Sequence, residues 1–361
     1  MISPGRSNRI VRLMVLCAAL FAAGPLGAQT VHGVLVDDTA RPVPSALVVL
    51  IYPGGASNEG AMTDAQGRFT LIAALPGRYL VRAERTGYRT AELAIDLAAG
   101  ETAEVRLTTA LQVFVLPTVD VVGESQCTVR PGQGMLAYTL WDEARKALRA
   151  TAFLQDAQRV RYTVRTYRND VVLRNGLTPR RRDAPRRVTG RPFTTLTPAE
   201  LAEGGYVRGE GDSLSFHGPD AHVLLSDEFL DTHCLYVARA DRATVGLAFE
   251  PVQRRGIVDI RGVLRIDRRT GELRDVEYEY TDLPNPRGRS RGGGSVVFRR
   301  LANGAWVVTR WHIRTTNVAR VTDWRGQENN SHAVTDIREA GGEVTDVELV
   351  APPGPAAGTA P

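Results

Sequence analysis

A serine nucleophile is the first chemistry this sequence suggests. Gly211-Asp212-Ser213-Leu214-Ser215 sets Ser213 in a short polar string, and His217 follows four residues later. A serine attacks only when a base takes its proton, and His217 is near enough in the chain to approach it. His222 lies further on, with Asp220 between the two histidines. Two imidazoles and a carboxylate are an adequate donor set for a transition metal, although this spacing matches no standard site. The plain alternative is a polar turn with two surface histidines. The six histidines are His32, His217, His222, His233, His312 and His332. None has Glu three positions later, and no HExxH occurs, so zinc-hydrolase chemistry lacks a ligand set. No phosphate-cradling GxxxxGK[ST] or GxGxxG occurs either. The expectation is no catalytic, metal or cofactor site, with Ser213, His217 and His222 as the candidates to inspect.

The cysteines depend on compartment. Arg6, Arg9 and Arg12 precede an apolar run from Leu13 to Ala23, and Leu26-Gly27-Ala28 offers small residues for cleavage. This is the layout of a secretory signal peptide over residues 1–28. The alternative, an uncleaved anchor, needs about 20 apolar residues to span a bilayer. Cys17 sits inside the apolar run behind Val15-Leu16, which argues against lipidation. After cleavage Cys127 and Cys234 remain, and an oxidising compartment favours one disulfide. It would close a 107-residue loop, worth roughly 4–5 kcal/mol in the chain-entropy model. Two buried free thiols are the alternative. Cleavage also takes the formal charge from +5 to +2, too little to support nucleic-acid binding. Composition, 43% hydrophobic and 24% charged, excludes disorder throughout and a many-span membrane protein. No stretch after the leader approaches spanning length, so no transmembrane segment is expected after cleavage. The expected location is periplasmic, outer-membrane-associated or secreted.

Residues 30–108 alternate as short strands. Val31 to Val36 is β-rich, Arg41-Pro42-Val43-Pro44 breaks it, and Ser45 to Tyr52 follows. Asp64-Ala65-Gln66-Gly67 and Leu75-Pro76-Gly77 are turns by composition. Phe69 and Leu71, then Leu93, Ile95 and Leu97, then Ala103, Val105 and Leu107, alternate with polar neighbours. Period-two patterning with closely spaced turns predicts an antiparallel sandwich.

The motifs Gly33-Val34-Leu35-Val36-Asp37, Pro42-Val43-Pro44-Ser45-Ala46, Thr63-Asp64-Ala65-Gln66-Gly67-Arg68-Phe69, Leu75-Pro76-Gly77-Arg78-Tyr79 and Gly87-Tyr88 carry a likeness. Together they resemble the carboxypeptidase regulatory-like domain family. The resemblance implies a transthyretin-like, seven-stranded sandwich similar to carbohydrate-binding-like folds, with these residues serving structure. Residues 109–126 read as an extended linker. Within it Leu116 to Gly123 resembles the stretch that follows this domain in TonB-dependent receptors, but the remaining chain is too short for their membrane barrel. The Gly211–Leu214 string resembles the nucleophile motif of the GDSL esterases. Their base comes from a late Asp-x-x-His, and none exists here.

The remainder, 127–350, predicts a β-rich domain. Leu136, Leu140, Ala144 and Leu148 repeat at helical spacing, giving a helix near 135–154 with Trp141 at its edge. Val160, Tyr162 and Val164 alternate as a strand. Residues 174–191 hold seven arginines with Pro179 and Pro185 and read as a loop, able to meet anionic headgroups but more simply solvated. Asp220 to Asp231 reads as a second helix. Strands return from Leu235, with Gly292-Gly293-Gly294 as a flexible loop and Asn303-Gly304 as a hairpin turn. Further strands are expected near Val318–Trp324, Ala333–Arg338 and Glu343–Val350, and residues 351–361 as a disordered tail. The fold class is mainly β: a sandwich plus an antiparallel meander, curved or half-barrel, with one or two helices. The function expected is an exported, non-enzymatic envelope protein. Its sandwich is an accessory module, and its second domain binds a ligand, glycan or lipid, or an envelope protein partner. A carbohydrate-binding accessory protein, a relative of TonB-dependent receptor N-terminal regions, and a hydrolase with an unseen site are the alternatives.

Overall fold

The computed structural model describes residues 28–52, 57–112, 135–172, 176–177, 181–209, 214–238, 243–252, 255–283, 292–301, 306–322, 325 and 328–350. Residues 1–27, residues 113–134 with Cys127, Ser213 with Gly211 and Asp212, Asn303 with Gly304, and residues 351–361 lie outside the described residues. The chain divides into two compact units: Met1–Ala83 with Thr90–Thr109, and Glu84–Arg89 with Ala110–Pro361.

In the first unit seven strands form: β1 (Gln29–Asp37), β2 (Leu47–Ile51), β3 (Ser57–Met62), β4 (Arg68–Ala73), β5 (Gly77–Glu84), β6 (Ala91–Leu97) and β7 (Thr102–Thr109). They make two sheets, β4-β1-β7 and β3-β2-β5-β6, with β1 and β7 parallel and β1–β4, β2–β3 and β5–β6 antiparallel. Alternation drives this. On β4, Phe69, Leu71 and Ala73 are buried while their neighbours are exposed. They meet Val31, Leu35, Leu50, Tyr79 and Val81 in the core, and each large side chain so buried contributes about 1.5–3 kcal/mol. Asp64 organises the turn before β4, its Oδ1 accepting from Gln66 N and Arg68 N at 2.8 Å each. Gly67 closes that turn at φ 73°, and a Cβ there would lie 2.4 Å from the Leu35 carbonyl oxygen, so only glycine fits.

The second unit holds a helix, α1 (Met135–Asp156), then β8 (Val160–Val172), β9 (Gly176–Leu177), β10 (Arg181–Arg182), β11 (Arg186–Thr189) and α2 (Pro198–Gly204). There follow β12 (Val207–Arg208), β13 (Ser215–Phe216), α3 (Ala221–Leu225), α4 (Asp227–Thr232), β14 (His233–Ala238), β15 (Thr244–Pro251), β16 (Asp259–Asp267) and β17 (Leu273–Thr281). β18 (Gly292–Arg300), β19 (Trp306–Thr322) and β20 (Glu328–Leu349) complete it. One antiparallel sheet runs β10-β8-β20-β19-β18-β17-β16-β15-β14 and is not a closed barrel. On its inner face α1 packs against β14 to β17 and β19. Leu140, Ala144 and Leu148 bury there with Tyr162, Leu247, Leu264 and Val276.

Several details differ from the sequence reading. Trp141 is buried rather than at the helix edge, because α1 is covered on more than one side. The expected 220–231 helix is two short ones: Ser226 is extended and caps both, its Oγ accepting from Phe229 N at 3.1 Å. Arg186–Thr189 is not loop but strand, added to the open edge of β8. Gly292-Gly293-Gly294 is not a flexible loop but the start of β18. The inner-face glycines leave room for aromatic rings from neighbouring strands: Gly292 faces Tyr280, Gly294 faces Tyr278, Gly262 faces Phe249 and Gly342 faces Trp311. A Cβ at any of the four would collide with the ring, and glycine–aromatic pairs of this kind let a sheet curve.

Candidate functional site

The inner face beyond α1 is covered by residues from 198–209 and 214–232, and its polar centre is His233. The ring stacks on Phe229, centroids 4.1 Å apart, and meets Phe249 edge-on. Nδ1 lies 3.1 Å from Phe229 O. Nε2 lies 3.1 Å from Ile260 O and 3.3 Å from Asp259 Oδ1. Nδ1 also lies 3.1 Å from Thr232 Oγ1, so both ring nitrogens have hydrogen-bond partners. Asp259, at the start of β16, also accepts from Ile260 N at 2.9 Å and from Arg255. Burial pushes its carboxyl up, but hydrogen bonds from His233, Arg255 and the Ile260 N–H, with the favourable interaction with His233, outweigh this and hold it below the usual range. Tyr206, Tyr278 and Tyr280 surround the cluster, and burial raises each phenol. Tyr280 donates to His217 O at 2.9 Å.

Outward from Asp259 opens a polar hollow of about 330 Å³, lined by Glu250, Arg255, Asp259, Arg261, Tyr280 and Asp282 among others. A second hollow of about 440 Å³ adjoins it through Arg261. Ladder parity puts Tyr236, Ala238, Ala248, Val263, Glu277 and Glu279 on the outer face of β14 to β17, and all six line this second hollow. Its surface is mainly apolar, with Tyr236 as the outer-face aromatic beside Phe249 and Tyr278. Arg261 stands between the two, paired with Glu279 at 2.5 Å.

The sequence candidates scatter. Ser213 and Cys127 lie outside the described residues. Cys234 is buried on β14. His217 donates its backbone N–H to Tyr206 O at 2.9 Å, and burial, aided by Arg208, lowers its ring pKa. His222 on α3 places Nε2 3.3 Å from Asp156 Oδ1, where Arg191 also reaches Asp156 at 3.3 Å. Asp220 serves as the cap of α3, accepting from Val223 N at 2.9 Å. The two histidines therefore face different partners. Among the described residues no group of three or more His, Cys, Asp or Glu side chains is placed to hold a metal.

Sequence reasoning missed two pairs. His233–Asp259 joins residues on β14 and β16, with no local signal. Ser295 and His312 face each other across β18 and β19, Oγ 3.0 Å from Nδ1. Both strands of that pair are bonded on both sides within the sheet.

Residues 30–112 match the carboxypeptidase regulatory-like domain family. No curated protein matches the chain. Among solved structures, the shaft pilin SpaA of Lactobacillus rhamnosus GG is 15% identical with a TM-score of 0.21, over 24% of this chain and 48% of the pilin. This chain thus spans about half of that pilin. The 5-hydroxyisourate hydrolase of Klebsiella pneumoniae is 20% identical, TM-score 0.20, over 24% of this chain and 91% of the hydrolase. BcpA, the major pilin subunit of Bacillus cereus, is 10% identical, TM-score 0.21, over 86% and 95%.

Proposed function

We propose, taking residues 30–112 as a carboxypeptidase regulatory-like domain, that this is an exported, non-catalytic envelope protein whose second unit binds an amphipathic ligand. The sandwich is its accessory module. The observation that carries the reading is the pair of adjoining hollows, one polar and one mainly apolar, divided by Arg261. Their volumes fall in the range of small-molecule sites. An acyl chain would lie over Ala238, Ala248 and Val263, and its head would meet Glu250, Arg261 and Asp282. One feature fits this reading: His233 has both ring nitrogens engaged in hydrogen bonds.

Titration of the full chain with a lysophospholipid, followed by calorimetry, tests this. Saturable binding is expected, weakened roughly tenfold or more, about 1.4 kcal/mol, by Arg261→Ala or Tyr236→Ala. A glycan is the second reading, favoured by the Tyr236 ring beside Arg261, Glu277 and Glu279. Binding of soluble polysaccharides with no lysophospholipid binding would move the assignment there. No binding of either would end the proposal.

Export and a Cys127–Cys234 disulfide belong to the same reading. A non-reduced peptide map of protein from the native host should show one linked peptide pair and a mature N-terminus at Gln29. Two alkylatable thiols, or an intact leader, would contradict it.

A further inference from the structure

The chain has a single lysine, Lys146, among 44 arginines. It is buried in the middle of α1, its side chain 1% exposed, beside a Glu143 side chain with no exposure at all. Its ammonium lies 2.6 Å from Glu143 Oε1, 3.1 Å from Asp142 Oδ2 and 2.7 Å from the Tyr88 carbonyl oxygen. All three of its donors thus have acceptors. Glu143 Oε2 in turn accepts the Gly87 N–H at 2.7 Å. Burial raises the Glu143 carboxyl, against the pull of Lys146. One turn away Arg149 donates to both carboxylate oxygens of Glu84, at 2.9 and 3.1 Å, and Arg145 holds Asp142 at 2.6 Å.

The other half of this cluster is the segment Glu84–Arg89, which belongs to the second unit although it joins β5 to β6. It is stitched further along its backbone: Gln112 N donates to Gly87 O, and Arg89 N to Ala110 O, each at 2.9 Å. Arg85 lies over the Tyr88 ring at 4.8 Å. Gly87 has φ 81°, and a Cβ there would lie 3.1 Å from Thr270 O. So the Gly87-Tyr88 motif serves contacts to α1 and strand ends of the second unit.

We propose that Glu84–Arg89 is a strap seated on α1, and that the buried Glu143–Lys146 pair exists to read its backbone, the Gly87 N–H and the Tyr88 C=O. A buried ion pair brings little net stability, since desolvation cancels its attraction. Its value lies in geometry: a charged acceptor and a charged donor, side by side, fit one peptide turn in one register. The compact three-donor ammonium suits this seat, and a guanidinium fork is larger and planar. The strap is part of the second unit, so the Gly87-Tyr88 turn completes that unit's own packing.

Hydrogen exchange on the full chain tests it, comparing peptides over 84–89, over α1 and over β16–β17. Glu143→Leu/Lys146→Met removes both charges and leaves neither stranded, and Lys146→Arg keeps the charge but changes the shape. In both, exchange over 84–89 should accelerate roughly ten- to hundredfold, the factor expected for lost charge-assisted hydrogen bonds. Peptides over α1 and β16–β17 should change little. Unchanged exchange over 84–89 in the double variant would overturn the strap. Equal acceleration over 84–89 and α1 would also overturn it, since the pair would then serve only the helix. Should Lys146→Arg fail to fold, Glu143→Gln supplies the second test with the same readout.

Discussion

Asp259→Ala is expected to destabilise the second unit by about 3–5 kcal/mol, because it strands the Arg255 guanidinium and removes a buried acceptor beside His233. Asp259 is 3% exposed. It is hydrogen-bonded to Arg255 and lies within 3.3 Å of His233. Alanine leaves His233 Nε2 with the Ile260 carbonyl and removes the acceptor for Ile260 N. Urea unfolding at neutral pH measures the loss. The pH dependence has a defined sign. The folded carboxyl is held below its ordinary value, so its stabilisation is present above the unfolded carboxylate pKa of about 3.9. It is lost as pH falls through the lower folded value. The gap between wild type and variant should therefore narrow in strong acid. A loss below about 1 kcal/mol, the level of an exposed pair, would show that the cluster is not held as described.

Gly33→Val should be the most damaging single change in the sandwich. A Cβ at Gly33 would sit 2.2 Å from Phe69 Cζ and 2.7 Å from Val105 Cγ2. Phe69 is buried and pairs with Gly33 across β1 and β4, so the ring has no free side to move to. Overpacking of this kind costs about 1–3 kcal/mol, sometimes more. Thermal unfolding of the full chain should show the first transition lowered. Phe69→Leu in the same chain should recover part of the loss by clearing the site. A Gly33→Val protein as stable as wild type would mean that the glycine in this family motif is not there to admit the ring.

The sandwich was legible because its signals are local. Phe69, Leu71 and Ala73 alternate within one strand, and Asp64 and Gly67 shape one turn. The helix over Leu140, Ala144 and Leu148 was legible for the same reason. The glycine run 292–294 misled, because its reason lies on another strand: Tyr278 and Tyr280 fill the space its missing side chains leave. Trp141 misled because a periodicity argument assigns one buried face, and α1 is enclosed on more. The sites were harder still. Asp259 and His233 meet across the sheet, Ser295 and His312 across a hairpin, and Lys146 meets Tyr88 from 58 residues away. Such distances in sequence carry no periodic signal. His217 and His222, close in the chain, were attractive for that closeness alone. The fold turns them to different neighbours.

The central claim is that the β14–β17 end of the second sheet is a binding surface. Hydrogen exchange with and without saturating lysophospholipid locates the contact. The account predicts slowed exchange in peptides over 234–238, 246–250 and 259–264, with the sandwich unchanged. Protection elsewhere, or none at saturation, would contradict it.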